Sequence, residues 1–288
     1  MAHCVVPGAE EILDKEYKVL DKGFVRLVDY LGGDARIVQA ARVSYGEGTT
    51  TYRKDAALIE YLLRNRHTSP FEQVILTFHA KMPIFVARQW IRHRTARLNE
   101  VSGRYSVMND DFFVPDSGSI ALQSTDNKQG RNPEPVDPAT AERIRSAMTD
   151  AQRRAYDEYT ALLETGIARE LARVNLPLSL YTEWYWQIDL HNLFHFLELR
   201  LDPHAQAEIR EYAKVMREIA RAVCPVATRA FEDHVAGGSA FSRAEFEALR
   251  ALVAERTDDD VRSAAESAGL TGRAAERFAQ KLATGRRL

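Results

Sequence analysis

An α+β fold is what the sequence predicts, on three observations. VILTFHAKM from Val74 and LSLYTEWYWQI from Leu178 alternate apolar and polar residues and are rich in β-formers. Other stretches repeat apolar residues at helical spacing, and the two kinds mingle without a regular βαβ rhythm. No glycine-rich phosphate loop is present, which argues against a doubly wound nucleotide fold.

Taken in order, Asp34 is placed to cap a helix through Tyr45, and KDAALIEYLLRNR from Lys54 is helical. HTSPF from His67 breaks the pattern, because Pro70 disfavours helical geometry at Ser69. After the Val74 strand, Pro83 suits the first position of a helix, IFVARQWIRHR, that ends near Arg94. The chain then turns through TARLNEVSG. Residues 109–138 are too polar and too rich in Pro, Gly and Ser for a regular element. A loop that long is usually functional or disordered, so Lys128 and Arg131 make an anion-binding lid one reading and a solvated loop the other. A helix is expected from about Ala139 to Thr165, then a short one in IARELAR. Beyond the second strand, HNLFHFLELR and HAQAEIREYAKVMREIARAV are helical. Gly237-Gly238-Ser239 marks a boundary between a domain over 1–236 and a helical C-terminal extension over 237–288.

With 288 residues, 45% of them hydrophobic, the chain has ample length to bury a core. Its net charge of -2 does not advertise a polyanionic partner. The start, MAHCVVPGAEEILDKEY, lacks the pattern of a signal peptide, and no stretch approaches the ~18–20 apolar residues of a membrane span. Cys4 and Cys224 suggest no disulfide framework. The expectation is a cytoplasmic protein with no membrane or nucleic-acid partner.

Positive charge is nevertheless concentrated in RHRTARLNEVSGRY, Arg92 to Tyr105, where four arginines and a histidine surround one acid, Glu100. Arginine matches phosphate oxygens with paired hydrogen bonds and keeps its charge. Ser102 and Gly103 can add a hydroxyl and unobstructed backbone N–H groups to the same anion. Glu100 suits a ribose hydroxyl or a base N–H, or neutralises an arginine. Gln89 and Arg92, three apart on the preceding helix, present one polar end together.

This segment resembles the signature of flavin-dependent thymidylate synthases: Arg-His-Arg, two residues, Ser, one residue, Asn-Glu, one residue, Ser, one residue, Arg-Tyr. Arg97 stands where the family usually has the first serine. HTSPFEQVILTFHAKMPIFVARQWIRHR and LPLSLYTEWYWQIDLHNLFHFLELRLDPHAQAEIREYA resemble family segments in the expected order, so the likeness runs from about Val25 to Val235. The helical tail lies outside it.

The resemblance implies an antiparallel or mixed sheet flanked by helices. It also implies reductive methylation of dUMP to dTMP, with 5,10-methylenetetrahydrofolate as carbon donor and FAD, recharged by NADPH, as reductant. By matching position, Ser69, Arg92, His93, Arg94 and Glu100 belong to the flavin site. So do Asp189, His191 and His195, where family members often carry Asn, Arg and Asn. Gln89, Trp90, Ile91, Arg92, Glu100, Val101, Ser102, Gly103, Arg104 and Arg173 match positions that hold the nucleotide. Arg200 matches the arginine that stabilises the pyrimidine as negative charge develops at N3 and O2. The family's homotetramer, with sites shared between subunits, is expected as well. Arg97 either points to solvent or an acid, or reaches a phosphate.

Two other classes compete. His191 and His195 have zinc-binding spacing, but HNLFH lacks the glutamate of zinc hydrolases and no third ligand is evident. An arginine-rich single-stranded nucleic-acid binder would stack bases on Trp90, Tyr105, Trp184 and Trp186. Those aromatics equally suit a core, and a net charge near zero counts against nucleic acid.

Overall fold

A computed structural model of the chain describes residues 4–43 and 52–284, and two compact units divide it, Met1–Ala236 and Gly237–Leu288. The first unit opens with the short helix α1 (Pro7–Glu10) and strands β1 (Tyr17–Val19) and β2 (Gly23–Leu31). Helices α2 (Asp34–Arg42) and α3 (Tyr52–Arg64) follow, then β3 (Ile75–Pro83), α4 (Ile84–Trp90) and β4 (Ala96–Glu100). Next come β5 (Ala121–Gln123), β6 (Arg131–Pro135), the long α5 (Pro138–Glu164), α6 (Arg169–Ala172) and β7 (Tyr181–Asp189). Helices α7 (Leu190–Leu201), α8 (Ala207–Val223) and α9 (Pro225–Phe231) complete the unit.

The sheet has the order β1-β2-β3-β7-β4, and every neighbouring pair is antiparallel. One face is buried: Leu76, Phe78, Ala80 and Met82 of β3 share it with Trp184, Trp186 and Ile188 of β7. Apolar residues of α7, α8 and α9 join the same core, where Phe194 stacks on Phe231. The other face is more open, with His79 stacked on Tyr185 at 4.6 Å between ring centroids.

Four expectations are corrected. Tyr45 lies outside the described residues, and Asp34 does not cap its own helix. Gly33 is that N-cap, while the Asp34 carboxylate accepts from the backbone N–H groups of Val226 and Ala227 at 2.8 and 3.0 Å, capping α9 instead. Pro83 ends β3 and precedes α4 rather than entering it. The first N–H groups of α4 donate to Leu180 and Leu178 carbonyls at 2.9 and 3.0 Å, so no side-chain cap is required. Residues 109–138 hold a two-stranded hairpin, β5 and β6. The Gln123 side chain bonds the carbonyls of Lys128 and Gly130 across it, supplying order that composition does not advertise. Finally, α4 ends at Trp90 and TARLNE is mostly strand β4, not a turn. Arg92 and His93 N–H groups bond i–3 carbonyls, a tightening that lets the chain reverse onto β7.

The second unit contains α10 (Arg243–Leu252), α11 (Asp258–Ser267) and α12 (Arg273–Thr284). Ser242 with Glu245, and Thr257 with Asp260, form capping boxes that fix two helix starts.

Candidate active site

The signature residues are carried by the end of α4, the turn after it and β4. Antiparallel register opposes Ala96 to Ile188, Leu98 to Trp186 and Glu100 to Trp184, so these share the core side of the sheet. Arg97 and Asn99 project to the opposite side. There the exposed Arg97 donates from Nη1 to Gln187 Oε1 at 3.2 Å, a cross-strand bond on the solvent side of the strand, which is one of the two expectations for this residue. Glu100 accepts from the Thr182 hydroxyl, and among the described residues no arginine reaches its carboxylate.

Arg200, in the last turn of α7, reaches back to α4. Its Nε donates to His93 Nε2 at 3.0 Å and its Nη2 to the Gln89 carbonyl at 3.3 Å. His93 is only 9% exposed and meets Phe196 and His195 with ring centroids 4.9 and 5.8 Å away. Burial, then the charges of Arg200 and His195, push the His93 imidazole down to about 4 from its ordinary 6.5. Burial and the neighbouring Arg92 charge lower the pKa of Arg200, yet a guanidinium stays protonated at neutral pH. The Gln89 side chain donates to Gln206 Oε1.

Beyond β4 the chain turns tightly: the N–H groups of Tyr105 and Ser106 both bond the Ser102 carbonyl at 3.1 Å. Gly103 is buried there, and a Cβ on it would stand 2.8 Å from Met108 Sδ and 3.1 Å from Arg173 Cδ. A side chain at 103 would oblige the Met108 and Arg173 side chains to shift. Arg104 is exposed and pairs with Glu170 at 3.1 Å. Arg92 and Arg94 are exposed, and no ion pair among the described residues joins either to a carboxylate. Val101 is also open, and its N–H bonds the Glu183 carbonyl at 2.9 Å.

The remaining residues gather at the other end of α7. Asp189 caps that helix, accepting from the Asn192 N–H at 2.9 Å and from Asn192 Nδ2 at 2.7 Å. Exposed Ser69 precedes the helical turn Phe71–Gln73, whose Phe71 packs on Phe194 of α7. His191 is half-buried, and His195 is exposed with Nδ1 3.7 Å from Glu198. Trp90 is different. It is fully buried among Trp184, Trp186, Phe196 and Tyr212, so its side chain is core. Ile91 packs partly buried against the same core. Burial of Trp184 and Trp186 also removes the stacking platform a nucleic-acid binder needs, leaving Tyr105 at 77% exposure.

Thr182 and Gln206 carry no signal in the sequence that marks them as site residues. Thr182 becomes visible only once β4 is known to pair with β7, and Gln206 lies 117 residues from the glutamine it contacts. Arg131, one of the two cations expected for a lid, is engaged structurally: it pairs with buried Glu208 at 2.8 Å and donates to the Ser119 carbonyl.

Cys224 is fully buried, which pushes its thiol well up, and Cys4 is half-buried. A double change, Cys4→Ser with Cys224→Ser, is expected to keep bound flavin and turnover, at a stability cost of about 1–3 kcal/mol from a hydroxyl placed in the Cys224 site. Calorimetry and a turnover assay check this; a drop of orders of magnitude in a folded protein would reveal a thiol nucleophile.

The family model described as thymidylate synthase complementing protein matches residues 26–226, and thymidylate synthase ThyX C-terminal domain matches 240–288. The tail, outside the resemblance visible in the sequence, therefore matches a family module too. A flavin-dependent thymidylate synthase of Treponema pallidum (strain Nichols) is 61% identical over 99% of this chain and 90% of its own. One from Thermus thermophilus is 55% identical over 88% and 91%. Among solved structures, a UMP/dUMP methylase from Streptomyces cacaoi bound with 5-Br dUMP matches with TM-score 0.70 and 33% identity, over 76% of this chain and 99% of that one. With the signature strand, the arginine cluster and the full-length likeness agreeing, the chain belongs to the flavin-dependent thymidylate synthase family.

Proposed function

We infer that the protein converts dUMP to dTMP by reductive methylation, taking the carbon from 5,10-methylenetetrahydrofolate and electrons from FAD reduced by NADPH. The observation that carries this reading is Arg200, held by His93 and Gln89 at the end of the signature helix with part of its fork unspent. The donor set suits the cofactor: Arg92 and Arg94 are exposed cations without carboxylate partners, chemistry that fits a pyrophosphate. Those two, with His93 and Ser69 and with Asp189, His191 and His195 along α7, would hold FAD, which supplies the reducing electrons when bound.

The chain's own residues bind and polarise. Arg92, Arg104 and Arg173, with Ser102 and the Gly103 backbone, supply donors for the nucleotide phosphate. Glu100, fixed by Thr182, offers an acceptor to a hydroxyl or N–H of the nucleotide. Arg200 donates to the N3–O2 edge of uracil, where charge gathers as C5 forms its new bond. A homotetramer with shared sites fits the apolar residues left open around the turn, Val101, Tyr105, Val107, Leu171, Val174 and Leu178. The cytoplasm fits two free cysteines, and no described helix is long and apolar enough to cross a membrane.

The test is direct. The purified protein is expected to be yellow with a flavin spectrum and to form dTMP from dUMP, methylenetetrahydrofolate and NADPH. A colourless protein that shifts on RNA would overturn the reading. Because none of the ligand-binding positions falls within the tail, deletion of residues 240–288 is expected to leave turnover and bound flavin largely intact. Loss of turnover while oligomer size and flavin persist, measured by sedimentation and absorbance, would give the tail a part in the chemistry.

A further inference from the structure

We infer that His93 is a positioning residue, whose Nε2 works with the Gln89 carbonyl to aim Arg200 at the nucleotide. The inference rests on the proposed role of Arg200 but assigns His93 a task distinct from flavin contact. Arginine can only donate, so a bond from Arg200 Nε at 3.0 Å requires a lone pair on His93 Nε2 and places the ring proton on Nδ1. The second bond, from Nη2 to the Gln89 carbonyl, spends the Nε side of the guanidinium. What remains is the Nη1/Nη2 end, with its parallel donors free for two adjacent acceptors on a planar ring. Without the imidazole, Arg200 would rotate about its last torsions and lose the orientation that makes a planar fork better than a point charge.

The surroundings keep the imidazole fixed and neutral. Its ring meets Phe196 edge-on from α7, and the charged or titratable groups facing it are Arg200 and His195 of α7, with Arg92 acting on Arg200. Burial above all, then the charges of Arg200 and His195, disfavours a second ring proton, so the acceptor persists through neutral pH. The sign for stability follows. The folded-state value of about 4 lies below the unfolded 6.5, so the contribution is complete above about pH 6.5 and is lost as pH falls toward 4.

The test uses flavin-loaded protein and four variants, His93→Phe, His93→Gln, Arg200→Lys and the double change of His93→Phe with Arg200→Lys. His93→Phe keeps a ring against Phe196 and removes the acceptor, whereas His93→Gln restores an acceptor of similar reach. Oxidised holoenzyme is titrated with dUMP calorimetrically, without turnover, and kcat/KM is measured separately. His93→Phe is expected to weaken dUMP binding and to lower kcat/KM about tenfold or more, with His93→Gln recovering most of both. In an Arg200→Lys background, where the Nε–H is gone, His93→Phe should change kcat/KM less than about twofold, the non-additivity of residues that act as a pair. Melting temperature should also fall less steeply from pH 7 to pH 5 in His93→Gln than in the parent.

Equal losses in both backgrounds, or a loss that simply tracks released flavin, would overturn the positioning role. If the parent itself fails to bind dUMP, the proposed reaction fails instead. A parent that binds and an unimpaired His93→Phe sink only this inference.

Discussion

Replacing Arg200 is expected to lower dTMP formation about a hundredfold or more, roughly 2.7 kcal/mol of transition-state stabilisation. The reason lies in where the charge goes. Bond formation at uracil C5 pushes electron density onto the N3–O2 edge, and a guanidinium already anchored through Nε and Nη2 needs no reorganisation to receive it. Arg200→Lys keeps the cation but loses the Nε–H that His93 holds and the parallel donors. Arg200→Ala loses the charge too, so it should be the worse of the pair. FAD binding and reduction by NADPH should largely survive, because the cations proposed for the flavin are on other residues. A purely structural role is available, since Arg200 lies in the last turn of α7, where a cation complements the helix dipole. On that reading lysine would restore both stability and activity. Near-normal turnover of Arg200→Lys, or variants that merely unfold and shed flavin, would therefore end the catalytic assignment.

The two strands with strong alternation, around Val74 and Leu178, are legible because one sheet face is buried and the other is not. Three other features are harder. In β4 the sequence ARLNE has charged and polar residues at positions 97, 99 and 100, because this edge strand is largely exposed on both faces. Exposure there erases the period-2 pattern. The hairpin of β5 and β6 is tied down by the Gln123 side chain and by the half-buried pair of Arg131 with Glu208, which composition does not reveal. Asp34 has the look of a local cap because it precedes a helix, yet its partners are 192 and 193 residues away. The site divides the same way. Its charged residues can be read directly, but the bonds that orient them are long-range: Arg200 with His93 and Glu100 with Thr182 join segments that only the sheet and α7 bring together.

The second large effect is expected at Trp90, and it concerns stability. The resemblance places this residue among those holding the nucleotide, but its ring is fully buried where α4, β7, α7 and α8 meet. It lies edge-on to Trp184 and Trp186, at 5.3 and 5.4 Å between centroids, and tilts against Phe196 at 5.2 Å and Tyr212 at 5.8 Å. Trp90→Ala removes the ring that all four share and should cost about 3–5 kcal/mol in denaturant titration. Activity should fall with the folded fraction, since the same residue ends the helix that delivers Gln89 and His93. Trp90→Phe behaves differently. It loses part of the ring area, but it also discards an indole N–H that is buried without an acceptor, a group that costs about 1–3 kcal/mol to leave unpaired. The two terms oppose each other, so the net loss should be below about 2 kcal/mol, with dUMP affinity near that of the parent. A Trp90→Phe protein that is stable yet no longer binds dUMP would return the side chain to the nucleotide site and overturn the packing account.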